Sequence, residues 1–221
     1  NQYLNGEYKK AKKILKNFKR DDKFYYWYRV KKEAKIIEHQ VNKKESLKYI
    51  TSEFIKIDHP NNKMIFDVAN FYKNSKQYGK AIEYYSMLID SLDDEDIKTD
   101  LLYRRGGSYE RMGEYKKADK DLLESLKIDP DDAYVLNYLA YSWLERNYKI
   151  DEALIMLEDA YASKSNDPYI IDSIGWAYYL VEDYVKAEKF LKRAVELMPD
   201  DPIVNDHYGD ILWKLNRKIQ A

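Results

Sequence analysis

The chain has 221 residues, 45% of them apolar and 35% charged, with a formal net charge of −1. That apolar content can fill a substantial core, while the near-neutral balance argues against a protein dominated by phosphate contacts, which need clustered Lys and Arg. Cys is absent, so a disulfide framework and a thiolate metal site are excluded. No run of about 18 apolar residues is present to enter a membrane, and only 7 Gly and 5 Pro interrupt the chain, which favours helix over sheet or disorder.

In chain order, a small residue recurs at Ala11, Ser46, Ala81, Ala118, Ala153 and Ala187, at spacings of 35, 35, 37, 35 and 34. A second small series is Ala34, Ala69, Gly106, Ala140, Gly175 and Gly209. Three residues after each of these comes a large one: Ile37, Tyr72, Tyr109, Trp143, Tyr178 and Leu212. Small against large at a fixed period is the packing signature of stacked helix pairs, in which every unit presents the same surface to the next. The predicted fold is therefore all-α, a right-handed superhelical solenoid of antiparallel helix pairs.

On this register residues 1–24 are the second helix of a partial unit, with Tyr8, Ala11, Leu15 and Phe18 at its matching positions. Full units cover 27–61, 62–98, 99–132, 133–167 and 168–201, and 202–221 is the first helix of another. The aromatic run Phe24-Tyr25-Tyr26-Trp27-Tyr28-Arg29 reads as a degenerate first helix, with a hydrophobic partner site as the alternative. Gly or Asn marks the turns before second helices, as at Asn5-Gly6, Tyr78-Gly79 and Gly113-Glu114, and the prolines Pro60, Pro130, Pro168, Pro199 and Pro202 fall in the joints, where helices are expected to stop. The acidic joint Asp93-Asp94-Glu95-Asp96 reads first as helix-start chemistry and second as a docking patch. The first residue is not Met and both ends lack a complete unit, which is compatible with a larger parent protein or with contacts between copies.

The window Pro168–Asp201 holds Ile171, Ile174-Gly175, Tyr178, Tyr184, Ala187, Leu191, Ala194 and Pro199, a spacing that resembles the tetratricopeptide repeat family. The resemblance covers nearly the whole chain and is best in units three to five. The series Asn137-Tyr138-Leu139-Ala140-Tyr141, Asp172-Ser173-Ile174-Gly175-Trp176 and Asn205-Asp206-His207-Tyr208-Gly209-Asp210 is similar to that of bacterial envelope members, some of which are adaptors for carboxyl-terminal processing proteases. This likeness implies a bacterial adaptor of the periplasm or cell envelope, with the cytoplasm as the alternative.

Positions 2, 5, 9 and 12 of each first helix share one face, and the family's groove lies there. They are Tyr134, Asn137, Tyr141 and Leu144, then Tyr169, Asp172, Trp176 and Tyr179, then Ile203, Asp206, Asp210 and Trp213. Tyr and Trp provide contact area at low entropy cost, and Asn137 has the groups to hydrogen-bond an extended peptide backbone. The competing reading is that the aromatics pack between first helices. In unit one the inner face carries Lys31, Lys32 and Lys35, suited to an acidic surface. From Asn1 to Pro60 there are 16 Lys and Arg against 8 Asp and Glu, and from residue 61 onward 22 against 31. The basic start and acidic remainder either reflect drift in solvated helix faces or serve differently charged partners.

No enzyme is expected. A triad of Asp172, Ser173 and His207 is set aside because regular helix backbone donates its N–H groups internally and leaves no oxyanion hole. No Gly-rich phosphate loop appears, and His39, His59 and His207 are too scattered for a metal cluster. No cofactor and no nucleic acid is expected, the latter because the chain beyond residue 60 is acidic. The expected function is a scaffold or adaptor that binds a partner protein or peptide in the groove. The alternative is a module that assembles with copies of itself through its terminal helices.

Overall fold

The computed structural model describes residues 7–15 and 22–219, so Phe18 lies outside the described residues. Among these, twelve α-helices follow one another: α1 Tyr8–Leu15, α2 Lys23–Gln40, α3 Lys43–Phe54, α4 Asn62–Asn74, α5 Tyr78–Ser91, α6 Glu95–Arg111, α7 Tyr115–Ile128, α8 Ala133–Glu145, α9 Ile150–Ser163, α10 Pro168–Leu180, α11 Tyr184–Leu197 and α12 Pro202–Lys214. The fold is all-α. The helices belong to two compact units, Asn1–Ala118 and Asp119–Ala221, with the division inside α7.

Helix starts follow from caps. Asp132, Asp167 and Asp201 each accept from the backbone N–H groups of the second and third residues of α8, α10 and α12, satisfying donors that a helix leaves unpaired. Pro168 and Pro202 occupy the first turns of α10 and α12. They start helices rather than stop them, because a proline's missing N–H is not needed there. The acidic joint does the same work: Asp94 accepts from Ile97 N at 3.1 Å, and Glu95 and Asp96 lie in the first turn of α6.

Helix stops follow one pattern. The N–H groups of Gln77, Glu114, Tyr148, Asp183 and Arg217 donate back to the carbonyls of Tyr72, Tyr109, Trp143, Tyr178 and Leu212 at 2.9–3.0 Å. The residue before each donor, Lys76, Gly113, Asn147, Glu182 or Asn216, has positive φ, as this closure requires. Gly113 alone among the five is a glycine. Gly79, expected in a turn, instead lies in the first turn of α5, where the left-handed residue is Lys76.

In the first unit α2 packs on α3, α4 on α5 and α5 on α6. The aromatic run is the start of α2: Tyr26 and Trp27 are buried with Val30, Ile50 and Val68, while Phe24, Tyr25 and Tyr28 are exposed. Ala11 and Leu15 of α1 bury against Ile36. At the crossing of α2 and α3, Ser46 replaces the alanine of other units and donates its hydroxyl to Ala34 O at 2.7 Å, so its burial leaves nothing unpaired.

In the second unit α8 pairs with α9 and α10 with α11, and α10 also packs on α8 and α12. Leu139, Leu157, Ile170, Ile171, Ile174, Leu191 and Ile211 form its interior. Gly175 shows why that position is small. A Cβ built there would lie 2.8 Å from Cγ of Leu191, so the two helices touch where a side chain would stand.

Candidate functional site

Helices α8, α10 and α12 of the second unit carry the aromatic stripe. Its members differ sharply in environment. Tyr134, Tyr169 and Trp213 are 52%, 60% and 60% exposed, and Ile203 is exposed beside them. Asn137, Tyr141, Trp176 and Tyr179 are half-buried, Asp206 and Asp210 are exposed, and Leu144 and Asp172 are buried.

Asp172 is buried because it has a partner. His207, on α12, places Nδ1 3.1 Å from Oδ1 and 3.0 Å from Oδ2 of Asp172. With Asp172 as a carboxylate, which only accepts, Nδ1 must carry the hydrogen and donate it. The His207 ring stacks on Trp176 at 4.3 Å between centroids, and Trp176 stacks in turn on Tyr179 at 4.8 Å. Tyr141 meets the same imidazole at 6.3 Å. Two of the aromatics thus meet one histidine and a third backs onto Trp176, while the histidine ties α10 to α12 and sets the floor beside the exposed rings.

Two buried polar atoms on this floor have no hydrogen-bond partner among the described residues: Oδ1 of Asn137 and Nε1 of Trp176. One is an acceptor and the other a donor, the complement of a peptide amide. The phenol of Tyr179 is held above its ordinary range by burial and then by the Asp210 carboxylate, so its hydroxyl stays protonated and available as a donor. Asp206 and Asp210 take part in no ion pair among the described residues.

Ser173 does not join the Asp172–His207 pair. Its hydroxyl donates to Tyr169 O at 2.9 Å, within its own helix, so it is not presented as a nucleophile. Among the described residues no group of three or more His, Asp or Glu is placed to hold a metal ion, and no helix is long and apolar enough to cross a membrane.

In the first unit, Lys31, Lys32 and Lys35 line a cavity of about 620 Å³ together with Lys43, Asn70 and Phe71. Lys31 is not free: its ammonium lies 2.8 Å from Asp67, which also accepts from Trp27 Nε1 at 2.8 Å. Lys32 rests over the Tyr28 ring at 5.4 Å, and Lys35 is exposed.

Two residues that hold the second unit's site in place carry no groove role in the sequence reading. His207 enters it with Asp172 and Ser173 only as a triad that is set aside; the structure keeps the Asp172–His207 pair, 35 positions or one repeat apart, as a structural contact between successive first helices. Asp119 accepts from Trp143 Nε1 at 3.1 Å and from Arg146 at 2.7 Å, and no local pattern distinguished it from the other acidic residues of α7.

A family model described as tetratricopeptide repeat matches residues 29–221. The chain belongs to the tetratricopeptide repeat family. Repeats of this family mediate protein–protein interaction. The TPR repeat-containing protein PA4667 of Pseudomonas aeruginosa is 29% identical over 142 residues, which are 64% of this chain and 23% of that protein; the chain thus spans less than a quarter of this relative's length. A tetratricopeptide repeat protein of Parabacteroides merdae has the same fold with a TM-score of 0.66 at 12% identity, over 86% of this chain and 73% of its own. MamA of Desulfovibrio magneticus RS-1 does so with a TM-score of 0.61 at 20% identity, over 71% and 86%. At these identities the structural matches speak for the fold of the tetratricopeptide chain alone.

Proposed function

We propose that the protein is a non-enzymatic scaffold that binds a partner protein or peptide along α8, α10 and α12. The observation that carries this is the exposure of Tyr134, Tyr169 and Trp213 beside a core already filled by Leu, Ile and Ala. Large rings standing in water on one face contribute little to folding, while at an interface each buries wide area for few frozen torsions. The half-buried Asn137 supplies a second motive: its Oδ1 has no hydrogen-bond partner among the described residues, a deficit of about 1–3 kcal/mol that a partner's backbone amide recovers.

The lysine-lined cavity of the first unit serves as a separate contact for an acidic partner surface. The motif series Asn137–Tyr141, Asp172–Trp176 and Asn205–Asp210 supports an adaptor of the bacterial cell envelope, bringing a partner to a protease or an assembly. Pull-down from envelope and cytosolic fractions, read by mass spectrometry, tests this with the wild type against Tyr134→Ala/Tyr169→Ala/Trp213→Ala. These three are preferred to Tyr141 and Trp176 because their exposed rings leave no cavity when removed. A partner lost with the variant supports the groove. A partner retained, or recovery of the bait alone from both, removes it, the second outcome in favour of self-assembly.

A further inference from the structure

We infer that the groove of the second unit takes an extended partner segment carrying arginine or lysine, an inference that rests on the reading of that groove as a binding surface. The lining positions of α8, α10 and α12 hold Tyr, Trp, Asn, Asp, Leu and Ile and not a single Lys or Arg. Of their three carboxylates, Asp172 is satisfied internally by His207. Asp206 and Asp210 are exposed, lie one helical turn apart on α12, and have no ion-pair partner among the described residues. Like charges at that spacing repel each other, and a cation between them relieves the repulsion.

The rings beside them suit the same ligand. Trp213 follows Asp210 by three residues and so shares its face; the ammonium of Lys218 already rests 4.7 Å over that indole, and Lys164 lies 5.9 Å over Tyr134. These surface lysines show that the ring faces accept cations. A partner guanidinium, planar and more weakly hydrated than an ammonium, displaces Lys218 from the indole while its N–H fork reaches a carboxylate. Beyond residue 60 the chain carries 22 Lys and Arg against 31 Asp and Glu, so the surrounding potential draws a cationic segment inward.

The test is fluorescence anisotropy of the full chain with labelled oligo-arginine, oligo-asparagine and oligo-glutamate peptides of equal length. Oligo-arginine is expected to bind. Asp206→Asn/Asp210→Asn is expected to weaken it about tenfold or more, whereas Asp159→Asn/Glu196→Asn, which removes the same charge from the exposed outer faces of α9 and α11, leaves it nearly unchanged. Equal weakening by both pairs means diffuse attraction and overturns the inference, as does equal binding of oligo-asparagine. If a neutral or acidic peptide binds and the Tyr134/Tyr169/Trp213 variant abolishes it, the groove stands and only its cationic preference falls. If no peptide binds, the inference fails, and the pull-down alone then decides the groove.

Discussion

Gly175→Ala and Gly79→Ala are one substitution in two helices, and they are expected to shift stability in opposite directions. Alanine is intrinsically better than glycine in a helix by about 0.8–1.0 kcal/mol. At Gly79 an added Cβ meets nothing within 4 Å, so most of that gain is realised, reduced toward about 0.5 kcal/mol by the position in the first turn of α5. At Gly175 the Cβ lies 2.8 Å from both Cδ2 and Cγ of Leu191 and 3.1 Å from its backbone N. Carbon contacts relax near 3.5 Å, so a shift of about 0.7 Å is needed. Leu191 is fully buried, and because its backbone is also crowded, a new rotamer alone does not make room. Overpacking of this kind costs about 1–3 kcal/mol, and the crowded backbone N of Leu191 places this site toward the upper end, about 2–3 kcal/mol; after the propensity gain, Gly175→Ala is left less stable by about 1–2 kcal/mol. Urea unfolding followed by far-UV circular dichroism measures both, with the slopes compared to exclude a change in the unfolded state. Gly175→Ala as stable as the wild type would refute the close approach of α10 and α11.

The remaining predictions concern single polar contacts. Asp119→Ala strands the indole N–H of the buried Trp143 and removes the carboxylate paired with Arg146; unfolding should be easier by about 2 kcal/mol, with a red-shifted Trp emission from the second unit, and an unchanged midpoint would mean that the pairs are too wet to matter. Tyr178 is pushed up to about 12 by burial first and then by its hydrogen bond to Glu158, against about 10 in an unfolded chain. The folded state therefore keeps this proton longer, and the stability it supplies, complete below about pH 10, is lost as pH rises toward 12. Tyr178→Phe should flatten that alkaline decline by about 1 kcal/mol between pH 9 and 11 in guanidinium unfolding; a decline of unchanged steepness would rule the residue out.

Much of the helical framework was legible before any coordinates. The periodic small residues are a local code, since the point where two helices cross admits only Ala, Gly or Ser, and Ala81, Ala118, Ala153 and Ala187 are all buried as that spacing requires. Punctuation was less legible. Closure at Lys76 and Glu182 needs left-handed backbone from residues that do not advertise it, because the carbonyls waiting to be capped, not the residue's own preference, decide the conformation. Pro168 and Pro202 marked the right joints but belonged to the following helix.

By itself the sequence determined an all-α chain of helix pairs and the face of each first helix on which aromatics gather, because both depend on spacings within a few tens of residues. Only the tertiary structure decided which members of that face remain available. Asp172 and Trp176 were as promising by position as Tyr169 and Asp206, yet one is buried against His207 and the other is stacked between that imidazole and Tyr179. Period and composition fix what a helix can present, but burial of a given side chain depends on which residue of the next helix lies opposite. That choice is made where α10 and α12 meet, by a hydrogen bond across 35 residues of chain, and no spacing within either helix encodes it.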